Sequence, residues 1–353
     1  MKPEFTQKLL DWNLTQNNRS MPWKGEPDPY RIWLSEIILQ QTRVEQGWAY
    51  YERFIQQFPT VHHLAAASLE QVYKLWEGLG YYTRCKNLYE TARKIVADHN
   101  GSFPSSYDQI LQLKGIGPYT AAAIASFAFK LPYAVVDGNV QRILSRYFGI
   151  NTPVDTGEGK KLYAELAQAL LDTDDPGAYN QAIMDFGATV CKPQRPLCNE
   201  CVQRNDCQAF AHGWVDELPV KEKTLVKRTR WFNYFVIELD DLVYIHQRNG
   251  KDIWTNLFEF ILHESDNSLA GAESLQQQLK DCVGHSGFFI RDISRPYKQQ
   301  LTHQTIHGQF ISVRLAKPPH KPSSCILVSK NLLGKYAFPK MLNAFMNDDQ
   351  TLS

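Results

Sequence analysis

The chain has 353 residues, of which 43% are hydrophobic, and its formal net charge at pH 7 is only +1. This length favours two domains. The balanced charge gives no overall basic field, so any binding of nucleic acid must depend on locally placed charges. No apolar run approaches the roughly 20 residues that span a bilayer. The N-terminal stretch MKPEFTQKLLDWNLTQ has no apolar signal region. We therefore expect a cytoplasmic protein without a membrane partner.

Helical periodicity extends through residues 1–213. It predicts helices near 5–17, 29–46, 48–57, 68–78, 84–99, 107–113, 119–128, 139–147, 159–171 and 177–190. Asp28 before Pro29 is typical of an N-cap followed by proline at the first helical position. We expect a mostly α-helical N-terminal domain whose second helix begins there.

An acid stands within the apolar stretch LSEIILQQTR of that second helix. Glu36 has Ile32, Trp33 and Leu39 as neighbours three and four positions away. It could rotate to the rim and meet water or an arginine, which is the common arrangement for glutamate. Alternatively, burial raises its pKa and makes it an acid for catalysis.

A turn with two glycines follows in LQLKGIGPYTAAAIASFAF. Gly115 and Gly117 precede Pro118 and an alanine-rich helix, whose N-terminal amides suit a phosphate group. A plain turn between two helices would have the same pattern. A dinucleotide-binding fold is disfavoured because no strand precedes the glycines.

Asp137 stands where the next helix begins, in AVVDGNVQRIL. As an N-cap it would accept backbone amides, and such bonds favour the ionised carboxylate. Alone, it would be interpreted as a structural cap. Paired with Glu36, it predicts two carboxyl groups whose pKa values are shifted in opposite directions, which is typical of glycosidic bond cleavage.

Four of the seven cysteines lie in CKPQRPLCNECVQRNDC. In a reducing compartment, such a cluster indicates metal ligation rather than disulfides. The spacing leaves zinc and a 4Fe-4S cluster both open, because each accepts four thiolates. The candidate ligands are Cys191, Cys198, Cys201 and Cys207.

The remaining sequence changes character at about residue 214. A polar, basic stretch at 214–229 predicts a linker. Beyond it, runs rich in β-formers alternate with two helical segments near 273–282 and 339–346. We expect a small α+β domain at 230–353.

Taken in order, these motifs resemble the adenine DNA glycosylases of the MutY type, within the helix-hairpin-helix superfamily. The resemblance rests on MPWKGEPDPYRIWLSEIILQQTRVEQ, GLGYYTRCKNL, LKGIGPYTAAAIASFAF, VVDGNVQRIL, AYNQAIMDFGATVC and the cysteine loop. It covers the N-terminal domain densely. The C-terminal domain resembles a Nudix module without an intact Nudix box. The implied organisation is a glycosylase domain at 1–213, a linker at 214–229 and a recognition domain at 230–353.

The resemblance implies a monomeric, nucleoid-associated base-excision repair enzyme of bacterial type. It would act on double-stranded DNA and remove adenine opposite 8-oxoguanine or guanine, with a 4Fe-4S cluster on the four cysteines. By position, Glu36 would be the general acid and Asp137 would stabilise the sugar cation. Tyr119 and Asn139 match residues that line the same pocket.

Further matches concern DNA contacts. Arg19 and Trp23 match positions that contact the flipped adenine, and Gln41 and Tyr81 match residues that enter the duplex near the opposite base. Two pocket positions depart from the family: Lys24 replaces an arginine, and Gln181 stands where some members have glutamate.

Tyr119 separates this interpretation from its nearest alternative. Related endonuclease III enzymes carry a catalytic lysine here, which makes them bifunctional lyases on oxidised pyrimidines. Tyrosine cannot form a Schiff base, so we expect a monofunctional glycosylase. Two other hypotheses are a silent nucleic-acid-binding module with structural zinc, which would be colourless, and a Nudix hydrolase, which would need an acidic metal-binding helix.

The C-terminal resemblance is weaker. The family's Phe-Ser-His loop would align with Thr305, Ile306 and His307, and Ile306 has no hydroxyl group with which to recognise 8-oxoguanine. Recognition could rest on a nearby residue instead, with Thr302, His303 and His307 as candidates, or this strand could be purely structural. Lys192, Arg195 and Arg204 beside the cysteines could contact phosphates or simply face solvent.

Overall fold

The computed structural model describes residues 3–222, 226–284, 287–318 and 325–349. The chain divides into two compact units, Met1–Ala67 with Lys86–Thr224 and Ser68–Cys85 with Leu225–Ser353. The second unit thus takes in a segment of the predicted helical region, and the domain boundaries predicted from the sequence remain predictions. Residues 223–225 of the predicted linker lie outside the described residues, and the first strand begins within that linker, at Arg228.

Helices make up the regular structure of residues 3–222, apart from two short 3-10 turns in the cysteine loop. They are α1 (Glu4–Thr15), α2 (Pro29–Leu39), α3 (Val44–Gln57), α4 (Val61–Ala66), α5 (Leu69–Trp76), α6 (Tyr82–His99), α7 (Tyr107–Leu111), α8 (Pro118–Phe129), α9 (Gly138–Phe148), α10 (Gly157–Leu170), α11 (Pro176–Thr189) and α12 (Gln208–His212). Among the described residues, no helix has both the length and the hydropathy of a membrane-crossing segment.

The predicted helix at 29–46 is wrong in its second half. Asp28 caps α2 as expected, accepting a hydrogen bond from Tyr30 N at 2.9 Å, but α2 ends at Leu39. Gln41 then adopts a left-handed conformation with φ of 57°, and a new helix starts at Val44. Since the apolar spacing continues across the break and no glycine or proline marks it, periodicity alone could not locate it. Gln41 is therefore not on the helix that carries Glu36.

The turn between α7 and α8 follows the sequence prediction. Gly115 has φ of 78°, and a Cβ atom there would lie 2.7 Å from Cβ of Asn87. Only glycine combines this backbone conformation with such close packing. Gly117 then caps α8, with Pro118 at its first position.

One hydrophobic core of the first unit lies among α1, α8, α9, α10 and α11. Its fully buried members include Leu9, Tyr163, Tyr179 and Phe186. Alanines at 122 and 123 let α8 approach its neighbours closely, as expected for small side chains at a helix interface. This packing fixes the starts of α8 and α9, where candidate catalytic residues lie.

The second unit is built on a mixed sheet. Besides α5, its strands and α-helices are β1 (Arg228–Leu239), β2 (Leu242–Gln247), β3 (Phe258–Glu259), β4 (Ile261–Ser265), α13 (Ala272–Val283), β5 (Phe288–Ile293), β6 (Tyr297–Gln300), β7 (Gln304–Leu315), β8 (Cys325–Ser329) and α14 (Lys340–Asp348). The polar strand β6 was not predicted, because YKQQ lacks a run of β-branched residues.

Strands β1 and β7 pair in parallel over their whole length, and the other recorded pairings are antiparallel. One face of β1 and β7 packs against α13 through Phe235, Ile311, Leu275 and Leu279. In this register Ile306 pairs with Arg230, and its side chain is fully buried. The chain reverses between β6 and β7 at residues 301–303, so Thr302 and His303 lie at a turn.

The segment 68–85 is hydrogen bonded to the rest of the second unit. Glu77 Oε1 accepts a hydrogen bond from Phe338 N at 2.7 Å, and Lys74 Nζ donates to Tyr336 O at 3.0 Å. Asn256 Nδ2 donates to the Tyr73 hydroxyl at 3.0 Å. These contacts connect α5 to the C-terminal fold.

A buried arginine joins three parts of the second unit. Arg230 on β1 forms paired hydrogen bonds with Asp252, at 2.8 and 2.9 Å, and with Glu264, at 2.7 and 2.6 Å. The Arg230 side chain is only 7% exposed. Removing it would leave Glu264 without its close cation and Asp252 with Arg248 alone, which lies 2.8 Å away, and removing one member of a buried ion-pair network is costly.

We predict that Arg230→Ala lowers the free energy of unfolding of the second unit by about 3 kcal/mol. Denaturant titration followed by tryptophan fluorescence measures this change. Arg228→Ala is the matched control, because that side chain is 72% exposed and its nearest contact with Glu264 is 4.0 Å. A loss for Arg230→Ala no larger than the control's would contradict the assignment.

Candidate active site

An open cleft of about 1040 Å³ in the first unit brings the predicted catalytic residues together. Glu36 comes from α2, Tyr119 from the first turn of α8, and Asp137 and Asn139 from the start of α9. Arg19, Trp23, Lys24, Gln41, Gly117 and Gln181 also line it. The cleft therefore collects most of the residues that the sequence predicted for the N-terminal domain.

Glu36 is buried in the apolar face of α2, with 7% of its surface exposed. This burial raises the pKa of the carboxyl group to about 7, because the charged form loses its hydration. A hydrogen bond with the Tyr119 hydroxyl pulls the pKa back down, and the negative charge of Asp137 raises it. Near neutral pH, Glu36 is thus a carboxyl group that can hold and release a proton.

Asp137 caps α9 as the sequence predicted. Its Oδ1 accepts a hydrogen bond from Val140 N at 2.8 Å, and its Oδ2 accepts one from Asn139 Nδ2 at 2.7 Å. We expected these bonds to lower its pKa, but the shift is in the other direction. Burial raises the pKa of Asp137 and outweighs the opposing effect of the hydrogen bonds. The pKa values of Glu36 and Asp137 are therefore both raised, and the expected shift in opposite directions is wrong.

Tyr119 projects into the same cleft from α8. Its hydroxyl lies 3.4 Å from Met184 Sδ and also hydrogen bonds with Glu36. Because a phenol has a single hydrogen, it donates to one of these partners at a time. Burial and the nearby carboxyl groups raise the pKa of this phenol well above its usual value. Tyr119 therefore remains neutral and acts as a hydrogen-bond donor.

A buried arginine that the sequence reading missed supports Asn139. Arg142 Nη2 donates to Asn139 Oδ1 and to Gly187 O, both at 2.8 Å, and its Nε donates to Cys191 O at 2.8 Å. The sequence feature that could have identified Arg142 is its position between Val140 and Ile143, on the apolar face of α9. Arg142 connects the start of α9 to the first cysteine of the loop.

The opposite side of the cleft is organised by a second residue that we missed. Asp185 on α11 is fully buried and accepts hydrogen bonds from Arg19 Nη1 at 2.9 Å, Lys24 Nζ at 3.0 Å and Gln181 Nε2 at 3.0 Å. Trp23 lies between Arg19 and Lys24 in the sequence, and its side chain is buried. It packs edge-on against Tyr51, with ring centroids 5.3 Å apart.

Two predicted duplex-contacting residues have left-handed backbones. Gln41 is exposed at the cleft, with φ of 57°. Tyr81 belongs to the second unit and has φ of 50°. Its hydroxyl is hydrogen bonded to Thr302 Oγ1, at the turn between β6 and β7.

The alignment of the family loop with Thr305, Ile306 and His307 does not place a loop there. All three residues lie inside strand β7, and Ile306 is fully buried. His307 stacks on Trp231 of β1, with ring centroids 6.2 Å apart. His303 O accepts a hydrogen bond from Arg228 N at 3.0 Å. Of the predicted candidates, Thr302 is the one whose side chain contacts Tyr81.

The four loop cysteines line one small cavity. Arg146 of α9 lies beside them, with its Nη1 3.5 Å from Cys191 Sγ and its carbonyl oxygen accepting from Cys207 Sγ at 3.4 Å. Within the described ranges, no three His, Cys, Asp or Glu side chains are grouped as a single metal ion requires. The four thiols thus share one cavity.

The three basic residues of the cysteine loop, Lys192, Arg195 and Arg204, have different local environments. The Arg204 guanidinium lies 4.7 Å from the ring centroid of Phe210, and Arg195 has a left-handed backbone with φ of 48°. Lys192 O accepts a hydrogen bond from Arg146 at 2.8 Å. Phosphate contacts by these three side chains remain a prediction.

Comparison with known proteins matches two family models. Residues 34–169 match the HhH-GPD superfamily of base excision DNA repair proteins. Residues 233–348 match the NUDIX domain. The predicted fold class, a helical glycosylase domain followed by a Nudix-like α+β domain, is confirmed in these respects.

Individual relatives extend the match. The chain is 32% identical to the adenine DNA glycosylase of Buchnera aphidicola subsp. Acyrthosiphon pisum, over 88% of this chain and 87% of the relative. It is 45% identical to the adenine DNA glycosylase of Rattus norvegicus, over 61% of this chain and 44% of the relative. A solved thermostable thymine-DNA glycosylase superposes with a TM-score of 0.55 at 30% identity, covering 59% of this chain and 95% of that one. The chain belongs to the adenine DNA glycosylase family.

Proposed function

We propose that this DNA glycosylase removes adenine from double-stranded DNA, where adenine stands opposite 8-oxoguanine or guanine, and leaves an abasic site. The observation that carries the proposal is the pair of carboxyl groups in one cleft, a buried Glu36 whose pKa is raised to about 7 and an Asp137 at a helix N-terminus. The reaction is hydrolysis of an N-glycosidic bond. It is one step of base-excision repair, as expected from the family.

Glu36 acts as the general acid in this mechanism. Its proton passes to a ring nitrogen of adenine, and the protonated base then takes the electron pair of the breaking C1′–N9 bond and leaves as neutral adenine. A carboxyl group with a pKa near the working pH is suited to this transfer. Burial of Glu36 in the apolar face of α2 raises its pKa into this range.

Asp137 stabilises the positive charge that develops on the sugar as the bond breaks. Its position is fixed by Val140 N and Asn139 Nδ2, so it need not reorganise during the reaction. Asn139 is held in turn by Arg142. Tyr119 hydrogen bonds with Glu36 and orients the acid. A water molecule then attacks C1′, and its proton passes to the Glu36 carboxylate, which completes the hydrolysis and restores the acid.

Adenine must leave the duplex to reach this cleft, at a cost of about a few kcal/mol. Gln41 at the cleft edge and Tyr81 in the second unit are the proposed duplex-entering residues. Gly115 and Gly117 allow a DNA phosphate to approach the first turn of α8, where unpaired amides and the helix dipole favour an anion. Arg19, Trp23, Lys24 and Gln181 receive the flipped base.

The opposite base is read by the second unit in this proposal. Thr302 supplies the hydroxyl that the aligned Ile306 lacks, and its contact with Tyr81 supports this role. His303 adjoins Thr302 at the same turn. His307 stacks on Trp231 within the sheet, which favours a structural role for it.

Cys191, Cys198, Cys201 and Cys207 are the proposed ligands of a 4Fe-4S cluster. The observation that supports a metal group at this loop is that the four thiols line one cavity. A bound cluster would hold the loop rigidly through four thiolate bonds. Arg146 and Arg142 would link that loop to α9.

The pH dependence of base release tests the acid assignment. Because the protonated form of Glu36 is required, we predict single-turnover rates that fall about tenfold per pH unit above pH 7. Because ionised Asp137 is required and its pKa is raised, rates also fall as the pH decreases through that pKa. The measurement uses adenine opposite 8-oxoguanine.

Two variants accompany that profile. Glu36→Gln should reduce the rate by about 100- to 10,000-fold. Its rate should also no longer decline above pH 7. Asp137→Asn should lose about 100- to 1,000-fold, because an amide cannot balance the sugar cation. A wild-type rate that stays constant from pH 7 to 9, or full activity in either variant, would overturn the mechanism.

The presence of tyrosine at position 119 leads us to predict a product whose DNA strand is uncleaved. Wild-type protein should release adenine and leave the DNA strand intact until alkali is added, because a phenol cannot form a Schiff base. Gel analysis with and without alkali measures this, and endonuclease III on its own substrate is the positive control. Strand cleavage in step with base release, together with efficient borohydride trapping, would contradict a monofunctional reaction.

Thr302 predicts the opposite-base preference. Thr302→Ala should reduce the rate ratio for adenine opposite 8-oxoguanine over guanine by about tenfold, since one hydrogen bond is lost. Thr302→Ser should retain the ratio. Thr305→Ala, three residues along in strand β7, is the matched control. An unchanged ratio in Thr302→Ala would exclude this residue as the reader.

A further inference from the structure

Asp185 lies behind the side of the cleft that receives the base. Its side chain has no exposed surface, and four donors converge on its two oxygens. They are Arg19 Nη1 at 2.9 Å, Asn17 Nδ2 at 2.9 Å, Lys24 Nζ at 3.0 Å and Gln181 Nε2 at 3.0 Å. Three of these donors, Arg19, Lys24 and Gln181, line the cleft themselves.

A carboxylate can only accept hydrogen bonds, and this fixes the orientation of the Gln181 amide. If the amide were reversed, its carbonyl oxygen would face Asp185 Oδ1 at hydrogen-bond distance and repel it. Gln181 must therefore direct its NH₂ group toward Asp185. Its carbonyl oxygen is then the polar end that remains for the cleft.

Asn17 and Lys24 brace the same arrangement. Asn17 Oδ1 accepts a hydrogen bond from Arg19 N at 3.1 Å, and Lys24 Nζ donates to Arg19 O at 3.0 Å. Arg19 is thus held at its backbone and at its guanidinium. The cleft is therefore lined by two fixed cations, Arg19 and Lys24, and by one fixed hydrogen-bond acceptor, the carbonyl oxygen of Gln181.

We propose that Asp185 is a positioning residue that makes this cleft selective for a purine with an amino group at C6. Through Asp185, Gln181 presents a carbonyl oxygen to the exocyclic amine of adenine, while the cations face ring nitrogens that accept hydrogen bonds. A purine with a keto group at C6 would place two acceptors against each other. This inference rests on the proposed adenine excision and adds the residue behind its base selectivity.

The test compares three bases opposite the same partner base: adenine, hypoxanthine and unsubstituted purine. Single-turnover rate constants for wild type should favour adenine over hypoxanthine by about tenfold or more, the scale of one hydrogen bond gained and one repulsion avoided. In Asp185→Asn the neighbouring amide can pair with Gln181 in either orientation. The ratio should then fall to within about threefold, since either end of Gln181 can face the base.

The ratio separates selectivity from a purely structural role. A residue that only stabilises the fold would lower the rates for all three bases by the same factor and leave their ratios unchanged. Intrinsic differences in bond lability cancel, because each variant is compared with wild type on the same substrates. Asp172→Asn is the matched control, since Asp172 is also a buried aspartate and accepts a hydrogen bond from the backbone of Asp174 at 3.2 Å; its ratios should equal those of wild type.

Circular dichroism and Tm show whether each variant folds. If Asp185→Asn does not fold, Gln181→Met carries the test, because it removes the carbonyl oxygen and keeps Asp185. A collapsed adenine preference in the folded variant supports the inference, and an unchanged preference overturns it. Wild-type protein that releases no adenine would instead overturn the proposed function, so the two failures are distinguishable.

Discussion

The charge of Glu36 is poorly solvated on the apolar side of α2, and the arrangement of the cleft follows from this constraint. A carboxyl group at the protein surface would be ionised at neutral pH and could not protonate a base. Burial raises its pKa to about 7. Tyr119 limits the shift by a hydrogen bond, and Asp137 increases it by its charge. The three side chains come from separate helices, so the packing of α2, α8 and α9 sets the proton affinity of the acid.

Helix α9 connects the catalytic cleft to the cysteine loop, although the two lie far apart in the sequence. Its N-cap is Asp137, its first turn carries Asn139, and Arg142 binds both Asn139 Oδ1 and Cys191 O. Arg146, one turn further, contacts the cysteine loop through Cys191 Sγ and Lys192 O. The loop therefore supports the position of Asp137, the carboxylate proposed to face the sugar. In this proposal the cysteines have a mechanical role, and base removal needs no redox step.

Much of the first unit could be predicted from the sequence, because its signals are local. The cap at Asp28, the glycine turn before α8 and the cap at Asp137 each depend on a few adjacent residues. The end of α2 could not, since the left-handed Gln41 carries no glycine or proline signal. The direction of the pKa shift of Asp137 also escaped prediction, because burial is a tertiary property that outweighs the local hydrogen bonds.

Residues that act through others were the ones most easily missed. Asp185 and Arg142 occupy apolar helix faces, where the sequence suggests only core packing. Asp185 binds Gln181 four positions away and other partners 161 to 168 positions away, and the partners of Arg142 lie 3 to 49 positions away. In the second unit, the aligned Ile306 proved to be a buried strand residue, and the hydroxyl proposed to recognise the opposite base belongs to Thr302 at the preceding turn. Sequence alignment alone could not choose between them.

The central claim is that Glu36 is protonated near neutral pH in the folded protein. Titration of protein labelled with ¹³C at glutamate carboxyl groups measures this directly by NMR, with Glu36→Gln used to assign the signal. We predict that the signal missing from the variant titrates near pH 7. Titration of that signal at the ordinary glutamate value of about 4.3 would contradict the account, because an ionised Glu36 has no proton to donate to adenine.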